Sequence, residues 1–392
     1  MISYEHLISE KTQRIKPSGI RKFFDLLSSM DDVVALTVGQ PDFVTPWHIR
    51  EAAIESLEGG HTYYTANAGT LDLRRGISEY LNRRFELSYD PRDEVVVTVG
   101  GSEAIDMALR AVLNPGDEVI IPMPSFVCYG PLTSLAGGVP VLLETKQEDH
   151  FKLTPEALRA AITDKTKLLV LPFPNNPTGA IMTEEDLAGI AEVLKDTDIL
   201  VLSDEIYAEL TYGRRHTSIA NLPGMRERTI LVSGFSKAYA MTGWRLGYIA
   251  APAPLAKAML KLHQYAIMCA PTTSQFAALE AVKNGDGDIE EMRAEYDRRR
   301  AYLLSGLSEL GLPCFPAEGA FYLYPYVGGY GLTSEEFCER LLYEERCAIV
   351  PGTAFGEVGE GYARISYAYS MHHLEEALVR IGKFLRKLKA EQ

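Results

Sequence analysis

An apolar run, Leu200-Val201-Leu202, ends in Ser203-Asp204-Glu205-Ile206-Tyr207. An acidic residue at the end of a buried strand is costly to desolvate and needs a partner that favours its charge. A second run, Ile230-Leu231-Val232, ends in Ser233-Gly234-Phe235-Ser236-Lys237, and Arg245 follows eight residues on within Met241-Thr242-Gly243-Trp244-Arg245. A third ends at Pro172-Phe173-Pro174 and leads into Asn175-Asn176-Pro177-Thr178-Gly179. A fourth, Val95 to Val99, breaks at Gly100-Gly101 and enters Ser102-Glu103-Ala104. Each has an ordinary explanation when taken alone. Asn, Pro and Gly form turns, a lysine after a strand is usually a surface lysine, and most Gly-Gly turns only connect elements. Ligands of an open parallel sheet bind beyond the carboxyl ends of its strands. Together these segments put an anion cradle, a carboxylate, a phenol, an amine and a guanidinium on that one edge.

One small molecule uses the whole set, pyridoxal 5′-phosphate. Its phosphate suits Arg245 and the free N–H groups at a helix start after Gly100-Gly101. Its aldehyde requires a lysine amine, which Lys237 offers. Its pyridine nitrogen requires a buried carboxylate to stay protonated, which gives Asp204 a purpose. Tyr207 and Asn176 can donate to the ring oxygen. Phe126, just beyond Pro122-Met123-Pro124-Ser125, can lie against the ring. The glycine turn is neither G-x-G-x-x-G nor a Walker loop, so dinucleotide and nucleoside-triphosphate binding lack their usual signature.

Seven apolar runs would carry these groups: 95–99, 118–122, 139–143, 167–173, 199–202, 230–232 and 246–250. Helical periodicity separates several of them, as at 102–113 with Ile105, Ala108, Leu109 and Val112 on one face. Thr154-Pro155 opens a helix to Ile162, and Thr183-Glu184-Glu185-Asp186 reads as a capping box. Strands apolar throughout and alternating with helices predict an α/β fold with a mostly parallel sheet covered on both faces. Beyond Ala251 the pattern changes to helices at 255–268 and 274–282 and a charged run, Glu290 to Arg300. Its interleaved signs read as a solvated helical face. Strands at 319–324, 348–350 and 362–367 then alternate with helices at 334–344 and 374–388, which predicts a smaller α/β domain. The expected division is an N-terminal arm and small-domain segment at 1–43, a large domain at 44–285 and a small C-terminal domain at 286–392.

The chain has 392 residues, 46% hydrophobic and 23% charged, which is enough to bury a large core. Its net charge of −14 argues against a general nucleic-acid surface. No apolar stretch approaches the length that spans a bilayer, and Met1-Ile2-Ser3-Tyr4-Glu5-His6 has no signal-peptide character. Cys128, Cys269, Cys314, Cys338 and Cys347 are scattered without C-x-x-C spacing, so reduced thiols, a cytoplasmic location and no metal site are expected.

The motifs at Asn175–Gly179, Ser203–Tyr207, Ser236-Lys237 and Met241–Arg245 resemble those of class I/II aminotransferases of pyridoxal-phosphate fold type I. The resemblance runs from Gly39-Gln40-Pro41-Asp42-Phe43 to Tyr362-Ala363-Arg364-Ile365-Ser366-Tyr367. It implies a large domain with a seven-stranded, mostly parallel sheet and a smaller C-terminal α/β domain. It implies that Lys237 carries the cofactor, Asp204 pairs with its ring nitrogen, and Asn176 and Tyr207 bond its ring oxygen. Gly101, Ser102, Glu103 (by backbone), Ser236 and Arg245 would hold the phosphate, and Phe126 the ring face. Tyr64, in Tyr63-Tyr64-Thr65-Ala66-Asn67-Ala68-Gly69, would reach the phosphate of a neighbouring subunit, so a homodimer is implied. Arg364, Asn176 and Gly39 would hold the substrate α-carboxylate, for which a guanidinium fork is suited. Gly234 stands where the family has a serine; Ser233 or Ser236 could compensate.

The implied reaction is ping-pong amino transfer, with Lys237 moving the α-proton and 2-oxoglutarate and glutamate as one pair. Ser18–Phe23, Glu209–Tyr212, Lys261–Tyr265 and Gly359–Tyr362 most resemble N-acetyl-diaminopimelate aminotransferases of lysine synthesis. Aspartate or aromatic aminotransferases and a C–S lyase of the same fold are the alternatives. For the distal end of the substrate, Lys16 to Lys22 offers Arg21, whose plainer role is the exposed head of a helix Phe23 to Leu27.

Overall fold

The computed structural model describes residues 4–17 and 30–391, so Arg21 and the expected helix Phe23 to Leu27 lie outside the described residues. Twelve strands are described. They are β1 (Val34–Ala35), β2 (Val95–Thr98), β3 (Glu118–Met123), β4 (Val139–Glu144), β5 (Thr166–Leu171), β6 (Leu200–Asp204), β7 (Thr229–Gly234), β8 (Gly247–Ala250), β9 (Tyr322–Leu323), β10 (Cys347–Ala348), β11 (Val350–Pro351) and β12 (Ala363–Ser366). Seven of them form the main sheet in the order β2-β8-β7-β6-β5-β3-β4. All its neighbours are parallel except β8, which runs against both β2 and β7. This is the expected mostly parallel α/β sheet with one antiparallel strand added, and both its faces are covered. Val96, Leu202 and Ile230 pack under the helices Gly100–Val112 and Ala253–Ala266 with Ala104, Leu109 and Met259. On the other side Val95, Val97 and Leu231 meet Leu73, Ile77 and Ala278. Each fully buried Leu or Ile contributes roughly 2 kcal/mol, which makes the sheet a rigid platform for the loops at its edge.

Local signals did what their chemistry suggests. Thr154 Oγ1 accepts from Ala157 N–H at 3.2 Å, and Thr183 and Asp186 form a reciprocal capping box. Two smaller sheets lie apart from the large one: β1 pairs in parallel with β10, and β11-β12-β9 is antiparallel. The early segment therefore returns to pair with residues more than 300 positions later in the chain.

Two expectations changed. The apolar run 319–324 is a strand only at Tyr322–Leu323. Residues 318–320 are fastened elsewhere: the N–H groups of Glu318 and Gly319 donate to Gly179 O, and that of Ala320 donates to Leu210 O. The charged run is part of a 24-residue helix, Asp286–Glu309, but it is not wholly solvated. Arg299 is only 5% exposed and pairs with Asp42 and Glu295, each at 2.8 Å.

All five cysteines are free thiols. Among the described residues no helix is long and apolar enough to cross a membrane, and no cluster of His, Cys, Asp or Glu is placed to hold a metal ion.

Candidate active site

The ends of β5, β6 and β7, the start of the helix Gly100–Val112 and the segment 37–40 close around a cavity of about 400 Å³. Its lining includes Gly39, Gly101, Ser102, Phe126, Asn176, Asp204, Tyr207, Ser236, Lys237, Arg245 and Arg364. Eleven of the thirteen residues singled out from the sequence thus share one space. The other two stand outside it. Glu103 turns its carboxylate to His263 Nδ1 at 2.6 Å and to the Val99 N–H, leaving only its backbone in the first turn beside the cavity. Tyr64 is 77% exposed on the surface of its own chain.

Asp204 closes β6 and is buried. Burial raises its pKa above the ordinary carboxylate value, opposed by the Tyr129 hydroxyl, which donates to Oδ2 at 2.7 Å, and the Ile206 N–H, which donates to Oδ1. Tyr129 was not anticipated from the sequence. Its signal was the need of a buried acid for a donor, together with a tyrosine three residues beyond Phe126.

Lys237 lies three residues past the end of β7. Burial, followed by the charges of Arg364 and Arg245, lowers its pKa from 10.5 to about 8, although Asp204 acts the other way. About a tenth of its amine is therefore neutral at pH 7, far more than an ordinary lysine offers. Its Nζ donates to Gly39 O at 2.6 Å.

The phosphate end is shaped by a missing side chain. Gly100 has φ +76°, and a Cβ there would stand 2.8 Å from Arg245 Nη2. The bare Cα lets the guanidinium lie against the helix start, where the backbone N–H groups are unpaired. Arg245 is itself steadied by a bond from Nη1 to Thr242 O at 3.0 Å.

At the opposite end Arg364 rises from β12, 3% exposed. Its Nη1 donates to Asn176 Oδ1 at 2.9 Å and its Nη2 to Thr37 O at 2.5 Å, while Nε has no partner. Asn175, by contrast, spends its side chain on the turn, accepting from Thr178 N–H and Oγ1. Asn175 thus builds the turn, and Asn176 lines the cavity.

Residues 31–381 match the family described as aminotransferase class I and II. The chain belongs to that family. It is 56% identical to a putative aminotransferase, YugH, of Bacillus subtilis, over 99% of this chain and 100% of that one. It is 46% identical to a probable N-acetyl-LL-diaminopimelate aminotransferase of the same organism, over 99% and 98% of the two chains. The aspartate aminotransferase of Thermus thermophilus solved with maleate superposes with a TM-score of 0.91 at 40% identity, covering 96% of this chain and 99% of that one.

This aminotransferase uses pyridoxal 5′-phosphate, and its residues fit that group. The Gly100 cradle beside Arg245 offers donors to a phosphate, Asp204 keeps acceptor capacity toward the cavity, and Lys237 presents an amine of depressed pKa. The volume lies within the range of pockets that enclose small ligands, roughly 300–1,000 Å³. Its substrates are an amino acid and a 2-oxo acid.

Proposed function

We propose that this aminotransferase takes the amino group of N-acetyl-LL-diaminopimelate and gives it to 2-oxoglutarate, or runs the reverse, in two half-reactions at one site. The relative of that name, 46% identical over nearly the whole of both chains, supports the donor. So do the segments Glu209–Tyr212, Lys261–Tyr265 and Gly359–Tyr362. The observation that carries the reading is the Arg364 fork, fixed at Asn176 and Thr37, in one cavity with the Lys237 amine. Bound pyridoxal phosphate supplies a carbonyl that exchanges amino groups and a ring that accepts electrons.

In this reading Lys237 would hold the cofactor, and its amine would take the α-proton of a bound substrate and return it. Asp204, steadied by Tyr129, holds a proton on the ring nitrogen. Tyr207 and Asn176 donate to the ring oxygen, and Phe126 lies against the ring. Gly101, Ser102, the Glu103 backbone, Ser236 and Arg245 hold the phosphate. Arg364, with Asn176 and Gly39, orients the α-carboxylate. Residues 44–285 act as the cofactor-binding domain and 286–392 with 1–43 as the smaller one.

The enzyme works in the cytoplasm as a homodimer in which Tyr64 reaches the neighbour's phosphate. Mixing inactive Lys237→Ala and Tyr64→Phe chains should then give hybrid dimers with one intact site; recovery no greater than the sum of the parents would remove the shared site.

A second reading, a dicarboxylate such as aspartate as donor, is favoured by the maleate in the Thermus thermophilus relative. A panel of amino donors with 2-oxoglutarate decides between them. The first reading expects the highest kcat/KM for N-acetyl-LL-diaminopimelate; a higher value for aspartate establishes the second. Pyruvate or ammonia released without an oxo-acid acceptor would indicate a lyase instead.

A further inference from the structure

Tyr322 has no role in the scheme above, yet it touches three of its parts. It sits on β9, opposite Ser366 of β12, and is 1% exposed. Its hydroxyl lies 2.7 Å from that of Tyr207. Its ring lies under the Arg364 guanidinium, 4.5 Å from Cζ to the centroid. A Cβ built on Gly39 would collide with its oxygen, so the hydroxyl reaches Tyr207 only because residue 39 has no side chain.

We propose that Tyr322 is a positioning residue with two separable actions: its hydroxyl aims the Tyr207 proton at the cofactor ring oxygen, and its ring holds the Arg364 fork flat for the substrate carboxylate. The first action rests on the proposed contact between Tyr207 and the ring oxygen. A phenol has one proton and two acceptor sites. If Tyr207 gives its proton to the ring oxygen, its own oxygen can accept the proton of Tyr322. A donor that is itself hydrogen-bonded in this way is strengthened and loses rotational freedom. Burial pushes both phenols above their usual pKa, so both keep their protons at neutral pH. The second action follows from geometry, since a cation over an aromatic face is attracted by it and guanidinium planes stack well there.

The two actions separate by substitution. A proton donor at the ring oxygen stabilises its negative charge and weakens the hold on the proton shared with the Lys237 nitrogen. Losing donation therefore raises the pH midpoint of the bound cofactor's visible absorbance. In the holoenzyme Tyr207→Phe should raise that midpoint, and Tyr322→Phe should raise it by a smaller amount, roughly half a unit. The double variant should shift no further than Tyr207→Phe alone, because the hydroxyl acts through Tyr207. Tyr322→Phe keeps the ring and should leave KM for the amino donor within twofold. Tyr322→Leu should raise KM roughly tenfold.

Gly39→Ala, which pushes the hydroxyl away, should reproduce the Tyr322→Phe midpoint and serves if Tyr322→Phe folds poorly. A Tyr322→Phe midpoint equal to wild type, beside a shifted Tyr207→Phe, overturns the first action alone. Strict addition in the double variant does the same. An unmoved Tyr207→Phe midpoint overturns the ring-oxygen contact and the first action with it. A Tyr322→Leu enzyme with unchanged KM overturns the second action.

Discussion

Asp204 and Glu205 are neighbours, both acidic and both buried, and they belong to different parts of the molecule. Asp204 looks into the main cavity with donors on two sides, Tyr129 and the Ile206 N–H. Glu205 looks the other way, among Leu171, Phe173, Leu187 and Ile219. It receives Ser203 Oγ at 2.8 Å and Ser218 Oγ at 2.6 Å, and pairs with His216 Nε2 at 2.9 Å. The Glu205 carboxylate takes three bonds from side chains within the fold; that of Asp204 takes two bonds and keeps more capacity to spare. A carboxylate has about four acceptor sites. The difference marks which buried acid ties loops together and which is available to a ligand.

The comparison can be broken in several ways. Replacing the amine opposite Asp204, Lys237→Ala, should abolish turnover and the visible absorbance of the bound cofactor; retention of full transaminase activity would take the chemistry away from this side of the sheet. Next in size come the acids themselves. Asp204→Ala should lower kcat/KM by about 100-fold or more, roughly 3 kcal/mol, with little change in Tm. Glu205→Ala should do the reverse. It leaves His216 buried without its partner, costs roughly 3 kcal/mol of stability by calorimetry and spares most of the activity of the folded enzyme. If both variants lose activity and stability in the same proportion, the two acids are not different in kind.

A pH measurement tests the same contrast from the amine. The lowered pKa of Lys237, about 8, means that the protonated form is the disfavoured one, and the neutral form is the one that attacks a carbonyl. Capture of pyridoxal phosphate by apoenzyme should therefore climb roughly tenfold from pH 7 to pH 9 and then level off. A climb continuing to pH 10.5 would indicate an ordinary lysine. The smallest effect is expected from Tyr129→Phe. Asp204 then loses one of its two donors but keeps its charge, and kcat/KM should fall roughly fivefold, about 1 kcal/mol. No change would make Tyr129 a packing residue only.

Much of this could be read in the sequence because the rule used is positional: polar residues at the ends of apolar runs. Asp204, Lys237 and Asn176 follow from that rule, and they share the cavity. What escaped has no positional signature. Tyr129 begins a helix, Tyr129–Ala136, and nothing in its spacing ties it to a residue 75 positions on. Thr37 contributes a backbone carbonyl to Arg364, which any residue could supply. The alternating charges of Glu290 to Arg300 predict a helix whose signs balance. They do not tell which row faces inward, and the deciding partner of Arg299 is Asp42, far earlier in the chain.

The Arg364 grip is assembled from residues 37, 176 and 364, whereas the cradle, the acid and the amine all fall between residues 100 and 245. Contacts so distant along the chain form late, since a long loop must close before they reward it. The two sides of the site are thus built differently: the carboxylate grip depends on contacts 188 and 327 positions apart, and the opposite side on one continuous stretch of the chain.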